Sequence, residues 1–152
     1  MLRTKLLHPG LLEALGRAGH GAKILLADGN YPVSTRSPAT ATRVYLNLSP
    51  GVVSVTDVLA ALIPAIPIEA AEVMTPDSGI EPPIFSEFRT LLENSTTALP
   101  LQQGGLPLSP LARFAFYDAA SQPDVAIAVA TGEKRIYANL LLTIGVVDPN
   151  AC

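Results

Sequence analysis

The stretch ILLADGNYPV, residues 24–33, determines the fold class that the sequence predicts. Residues 24–27 are four consecutive apolar side chains, and the turn residues Asp28 and Gly29 follow directly. A short apolar run that ends in turn residues is typical of a strand buried on both faces, as in a parallel sheet covered by helices. We therefore predict a strand over 23–28. Asp28 is either a turn aspartate or a binding residue, because ligands of such sheets gather where the strands end.

A predicted helix precedes this strand and ends beside a histidine. Residues 9–19 carry leucines at helical spacing, with Pro9 before the first turn and Gly19 where a terminating glycine would stand. His20 then lies between two glycines, which allow unusual backbone angles. It is either a turn residue or a group that exchanges protons with a ligand. Because the strand separates His20 from Asp28, we expect the two to reach a ligand from different sides and not to bond each other.

The rest of the chain alternates predicted helices and strands and then becomes rich in strands. The predicted elements are a strand over 43–49, a helix from Ser54 to about Ile63, a strand over 68–74, a helix over 84–94, and strands over 111–118, 124–132 and 136–147. Residues 95–110 contain Gly, Pro, Ser and Thr without a period and are predicted to be a loop. This order predicts one α/β domain over residues 1–152, with a largely parallel sheet covered by helices.

The composition excludes several classes of function. A net charge of −3 provides no basic surface for nucleic acid. No apolar run reaches the roughly 20 residues that span a bilayer, and the first residues lack the apolar core of a signal peptide, so a soluble cytoplasmic protein is the simplest expectation. Charged residues make up only 15% of the chain. So little charged surface favours self-association.

Polar side chains of the last third are further candidates for a site. In the segment RFAFY, a strand would place Arg113 and Tyr117 on one face and both phenylalanines on the other. The Arg/Tyr face is either solvated or part of a polar pocket. Residues 131–135, TGEKR, lack the full phosphate-loop pattern, which excludes an NTPase. No group of His, Cys and carboxylates has metal-ligand spacing, and Cys152 is the single cysteine, so we predict no metal site and no internal disulfide.

Taken together, these segments resemble a known family. AGHG, LLADGNYP, RFAFYD and TGE followed by YANLLLTIGV occur in the order and spacing of the L-fucose mutarotase and ribose pyranase family of sugar isomerases, over nearly the whole chain. The resemblance implies a Rossmann-like α/β fold, catalysis without a cofactor, and a ring-shaped homo-oligomer, commonly a decamer of two pentameric rings. It also implies a pocket at a subunit boundary that binds a monosaccharide.

The resemblance assigns roles to individual residues. It implies His20 as the proton donor, Asp28, Arg113, Tyr137, Ala138 and Asn139 as sugar-binding residues, and Tyr117 as a residue that supports them. Arg113 favours the fucose branch, because the ribose branch usually has histidine there. Ala138 and the segment Gly29-Asn30-Tyr31 depart from the fucose pattern.

The reaction that the resemblance implies needs only proton transfers. The sugar ring opens when the ring oxygen gains a proton and the anomeric hydroxyl loses one, and an imidazole can donate and accept protons near neutral pH.

The alternatives to a mutarotase are a non-catalytic sugar-binding or transport accessory protein, and an oligomeric scaffold without a ligand. The presence of His20 together with Tyr137 favours catalysis, because binding alone needs no proton donor. We also expect the apolar run Leu140–Leu142 to be an edge strand, which a closed oligomer would have to cover.

Overall fold

The computed structural model describes residues 1–93, 106–147 and 149, and within them helices alternate with strands. In chain order the elements are α1 (Pro9–Arg17), β1 (Lys23–Ala27), β2 (Thr42–Tyr45), α2 (Val55–Leu62), β3 (Ile68–Thr75), α3 (Ile84–Glu93), β4 (Leu108–Ala112), α4 (Arg113–Ala120), β5 (Val125–Ala130) and β6 (Leu140–Ile144). The α/β class is confirmed. No helix in this part of the chain has the length and apolar character needed to cross a membrane.

The strands form one mixed sheet in the order β2-β5-β1-β6-β3-β4. Strand β5 is parallel to both β1 and β2, and β3 is parallel to β4. Strand β6 runs antiparallel to β1 on one side and to β3 on the other. The prediction of a largely parallel sheet is therefore confirmed. The expectation that the closing apolar run is an edge strand is wrong, because Leu140–Leu142 are fully buried inside the sheet.

The apolar run of β1 is continuous because both faces of the sheet are covered. Side chains alternate along a strand, so Ile24 and Leu26 face the layer formed by α1, α2 and α3. Leu25 and Ala27 face the opposite side, where they pack with Phe116 of α4. These four side chains are completely buried, whereas Lys23, the first residue of β1, is partly exposed. The local sequence thus encodes the central position of β1, as predicted.

The predicted strand over 111–118 is wrong beyond Ala112. Strand β4 covers Leu108–Ala112 and pairs with β3, and the chain then turns directly into α4. Because β4 begins at Leu108, the end of the predicted loop over 95–110 is also strand. Residues 95–105 of that loop, and residue 94 at the end of the predicted helix, lie outside the described residues.

Helix α4 differs from the predicted strand in how it places the aromatic side chains. Phe116 and Ala120, one helical turn apart, are fully buried against the sheet, whereas Phe114 is 70% exposed. The alternation of apolar and polar residues in this segment is compatible with a strand, in which both phenylalanines would share one face. In the structure only Phe116 is buried on the sheet, together with Ala120 four residues later, and this spacing is that of a helix. Arg113 and Tyr117 still share a face, because residues four apart are neighbours on a helix.

The start of α2 and the end of α1 are determined by residues close to them in the sequence. Ser54 and Asp57 form the predicted capping box at the start of α2, with the Asp57 carboxylate accepting from the Ser54 N–H at 2.8 Å. Helix α1 ends at Arg17, and Ala18 leaves it in an extended conformation. The glycine with a positive φ in this segment is Gly21, at 80°. The chain therefore turns into β1 beside His20.

Candidate functional site

A cavity of about 400 Å³ opens where β1 ends, beside the start of α4 and the turn that precedes β6. Its lining residues are Asp28, Asn30, Tyr31, Met74, Arg113, Tyr117, Ile136, Tyr137 and Asn139. The structure thus brings together five of the seven residues predicted for the site. Ala138 is completely buried beside Tyr137 and does not line the cavity. The volume is in the range of pockets that bind small molecules.

Asp28 is held by a reciprocal pair of hydrogen bonds with Asn139. The Asp28 backbone N–H donates to Asn139 Oδ1 at 2.9 Å, and Asn139 Nδ2 donates to Asp28 Oδ2 at 3.0 Å. The backbone N–H of Asn30 donates to Asp28 Oδ1 at 2.9 Å. Asp28 and Asn139 are 4% and 3% exposed. Burial raises the pKa of Asp28 even though these hydrogen bonds act in the opposite direction.

Tyr137 reaches the cavity from a left-handed turn. Its φ is 61°, a value that costs a residue with a side chain about 1–3 kcal/mol. The predicted strand over 136–147 is therefore wrong at its start, because β6 begins only at Leu140. The positive φ at Tyr137 is incompatible with an extended strand there. Such backbone strain is characteristic of residues whose side chains are held in a fixed direction at a functional site.

Aromatic rings and a guanidinium line the same cavity as Asp28. Arg113 and Tyr117 come from α4, and a hydrogen bond with Tyr117 raises the pKa of Arg113. The rings of Tyr117 and Tyr31 have centroids 5.4 Å apart. The Tyr31 hydroxyl donates to the carbonyl of Arg36 at 2.9 Å. These side chains offer ring faces and a cationic donor to a ligand that carries hydroxyl groups.

His20 lies away from this cavity. It precedes β1, whereas Asp28 follows β1, and five residues at about 3.3 Å each hold the two ends roughly 15 Å apart. His20 Nε2 is 3.1 Å from Oε2 of Glu69, at the start of β3. The His20 side chain is 59% exposed, so a molecule outside this chain can reach it. The two residues are separated as predicted.

Several residues near the predicted set were missed by sequence reasoning. Tyr31 follows the turn after Asp28, and its position next to that turn was the available signal. Met74 and Glu69 both belong to β3. The order of strands in the sheet brings Met74 to the cavity that Asp28 lines, and it brings Glu69 to His20. In the described part of the chain, no three His, Cys, Asp or Glu side chains converge where they could hold a metal ion.

Replacement of Asn139 by alanine is expected to lower the free energy of unfolding by about 1–3 kcal/mol, because the buried Asp28 N–H and carboxylate lose their partner. Urea unfolding of the wild type and the variant measures the difference. The matched control is Asn47→Ala, at an exposed position, which should change stability by less than about 0.5 kcal/mol. Equal stability of the two variants would show that the Asn139 pair contributes nothing net.

Comparisons with known proteins cover the whole described architecture. The model of the RbsD / FucU transport protein family matches residues 1–147. A D-ribose pyranase of Paracidovorax citrulli is 33% identical, over 96% of this chain and 98% of that protein. A fucose mutarotase of Bos taurus is 32% identical, over 95% and 92%. The crystal structure of the fucose mutarotase of Streptococcus pneumoniae in complex with L-fucose is 28% identical, with a TM-score of 0.77, and the match covers 97% of this chain and 100% of that one.

Proposed function

The chain belongs to the RbsD / FucU family, and from that membership we propose that it is a monosaccharide mutarotase, an isomerase that interconverts the α and β anomers of a free sugar. The observation that carries the proposal is the cavity in which Asp28, Arg113, Tyr137 and Asn139 meet. Relatives with the names fucose mutarotase and D-ribose pyranase match it along nearly its whole length.

The cavity has the groups that would hold a sugar for ring opening. The Asp28 carboxylate accepts hydrogen bonds from hydroxyl groups, and the Arg113 guanidinium donates to hydroxyl oxygens. Holding the ring in one orientation converts proton transfer into a step between fixed partners. The tyrosine rings supply the flat surface against which a pyranose packs.

We propose that His20 is the proton donor and that it acts on sugar in the cavity of another copy of the chain. Within one chain, β1 keeps His20 away from Asp28, while the imidazole remains exposed. A ring-shaped homo-oligomer, with the decamer as the expected size, would bring the two edges together. Exposed apolar side chains near the cavity support an interface there, since Ile80 is 74% and Ile136 is 65% exposed. The site would then lie at a subunit boundary.

L-fucose is the proposed substrate. Met74 and Ile136 give the cavity an apolar wall, which suits the methyl group that L-fucose carries in place of a hydroxymethyl group. Arg113 is also the residue of the fucose-type pattern. D-ribose is the competing sugar, because one relative, at 33% identity, is a D-ribose pyranase.

The alternative is a non-catalytic sugar-binding or transport accessory protein. One observation favours it: the described residues that line the cavity include groups that can bind hydroxyls but no histidine. Such a protein would need no second copy to fulfil its role.

NMR saturation transfer between anomers distinguishes these functions. L-fucose, L-galactose and D-ribose are compared at equal concentration, with and without protein. L-galactose is the matched control, because it differs from L-fucose only in the hydroxyl at carbon 6. We expect catalysed exchange that is fastest for L-fucose. Saturable binding of a sugar without catalysed exchange would support the accessory role and contradict the mutarotase.

A further inference from the structure

We propose that Asp28 is a catalytic residue, which takes the proton of the anomeric hydroxyl and returns it when the ring closes. This inference rests on the proposed mutarotase function and gives Asp28 a chemical role beyond binding the sugar. Opening the ring needs a group that accepts one proton and a group that donates another. His20 can supply only one of these at a time.

Asp28 is the sole carboxylate among the residues that line the cavity. The other titratable groups that face it there are the hydroxyls of Tyr31, Tyr117 and Tyr137 and the guanidinium of Arg113. A guanidinium cannot accept a proton, and phenols ionise far above neutral pH. Burial and the nearby Tyr117 raise the pKa of Tyr31 further. Asp28 is therefore the group in this cavity that can act as a base near neutral pH.

The geometry leaves Asp28 with free acceptor capacity. Oδ1 accepts a hydrogen bond from the Asn30 N–H and Oδ2 accepts one from Asn139 Nδ2, and the backbone N–H groups of Tyr31 and Ala138 also act on the carboxylate to lower its pKa. A carboxylate oxygen can accept a further bond, so either can receive the proton of a sugar hydroxyl. The same two bonds fix the orientation of the side chain. A base held rigidly in this way is already oriented for proton transfer when the sugar binds.

Burial also favours this role over that of a passive anchor. Asp28 is almost completely buried, and burial raises the pKa of its carboxyl. A carboxylate with a raised pKa is a stronger base than an exposed one, and rates of general base catalysis increase with basicity. Asp57, an aspartate used only in a helix cap, shows the opposite direction, since hydrogen bonds from Ser54 lower its pKa.

The step balances without a further reactant. The anomeric O–H bond breaks and its proton moves to the Asp28 carboxylate, while the bond between the anomeric carbon and the ring oxygen breaks. The ring oxygen takes a proton from the donor imidazole, which leaves the open-chain aldehyde. Closure on the other face of the carbonyl reverses both transfers, and Asp28 returns its proton to the new anomeric hydroxyl. Both protein groups end in their starting protonation states.

The direction of the pH dependence follows from this role. Asp28 acts as a base only when it is ionised, so exchange should fall as the pH decreases through its raised pKa. If Asp28 only anchored the sugar, its protonation would weaken sugar affinity at low pH but would leave the exchange rate at saturating sugar unchanged.

The test compares wild type, Asp28→Asn and the matched control Asp118→Asn, which changes an exposed aspartate of α4. Sugar affinity and the exchange rate at saturating sugar are measured separately across pH. We expect Asp28→Asn to lose about 10²–10⁴-fold in the saturated rate and to lose the acid limb, and Asp118→Asn to match the wild type. A saturated rate within threefold of wild type, with weaker affinity, would overturn the proposal and leave Asp28 as an anchor.

A second variant keeps the test decisive if Asp28→Asn does not fold. Asp28→Ala removes the carboxyl group, and added formate can supply one in its place. Exchange restored in proportion to formate supports the catalytic role, and a folded variant that formate does not restore argues against it. Wild-type protein that exchanges no sugar refutes the mutarotase function itself, which is a different result from either of these.

Discussion

Replacement of His20 by glutamine is expected to reduce catalysed anomer exchange by about 10²–10⁴-fold without unfolding the protein. The imidazole is mostly exposed and pairs with the Glu69 carboxylate, and a surface pair of this kind contributes little to stability. Glutamine keeps a polar side chain of similar reach but cannot transfer a proton near neutral pH. Saturation transfer gives the exchange rate, and thermal unfolding and sugar titration show that the fold and the cavity are intact.

The matched control is the second histidine of the chain. His8 caps α1 by accepting from the Leu11 N–H at 3.2 Å, and it is not among the described residues that line the cavity. His8→Gln should lower stability modestly and leave the exchange rate unchanged. If His20→Gln exchanged anomers within a few-fold of wild type, the proton donor would have to be another group.

A mixing experiment tests whether His20 acts in the cavity of another copy. His20→Gln and Arg113→Ala are each expected to be inactive when pure, because one lacks the proton donor and the other lacks a sugar-binding group. In oligomers assembled from both, some sites combine an intact His20 with an intact Arg113, and exchange should return to a substantial fraction of the wild-type rate. Mixed oligomers that stay inactive would show that both groups must belong to one chain.

Replacement of Gly132 by alanine is expected to lower the free energy of unfolding by about 3 kcal/mol or more. A Cβ at this position would overlap the carbonyl oxygens of Ser49 and Val52, which are backbone atoms and cannot rotate away. The backbone of Gly132 also forms two hydrogen bonds to this neighbouring segment. Its N–H donates to the Val53 carbonyl at 2.9 Å, and its carbonyl accepts from the Gly51 N–H at 2.6 Å. The crossing of two backbones therefore has no room for a side chain.

Denaturant unfolding of Gly132→Ala and of Gly16→Ala provides the comparison. Gly16 lies in α1, and no atom is close to the place where its Cβ would be, so alanine there should raise stability by about 0.5–1 kcal/mol. The Gly132 variant should also lose exchange activity, because the next residue, Glu133, accepts the N–H of Gly29 beside the cavity. Equal midpoints for Gly132→Ala and wild type would show that the loop around Val52 can move aside freely.

Local patterns were sufficient for the elements whose signals lie within a few residues. The apolar run of β1 must be covered on both faces, and the spacing of Ser54 and Asp57 closes the first turn of α2 by itself. Such features can be read from the sequence because the interacting groups are neighbours in the chain. Asp28 as a candidate for the site follows in the same way, since a carboxylate directly after a buried strand lies at the edge where ligands bind.

The sequence by itself, with the family resemblance that it carries, thus determined the α/β class, the central strand and five of the residues that line the cavity. Tertiary structure alone decided that the segment after Ala112 is helical, because only the sheet beneath it buries Phe116 and exposes Phe114. It also decided that Asn139 bonds Asp28, 111 positions away, and that Glu69 faces His20, 49 positions away. The physical reason is that these partners are neighbours only through the strand order, in which β6 lies between β1 and β3.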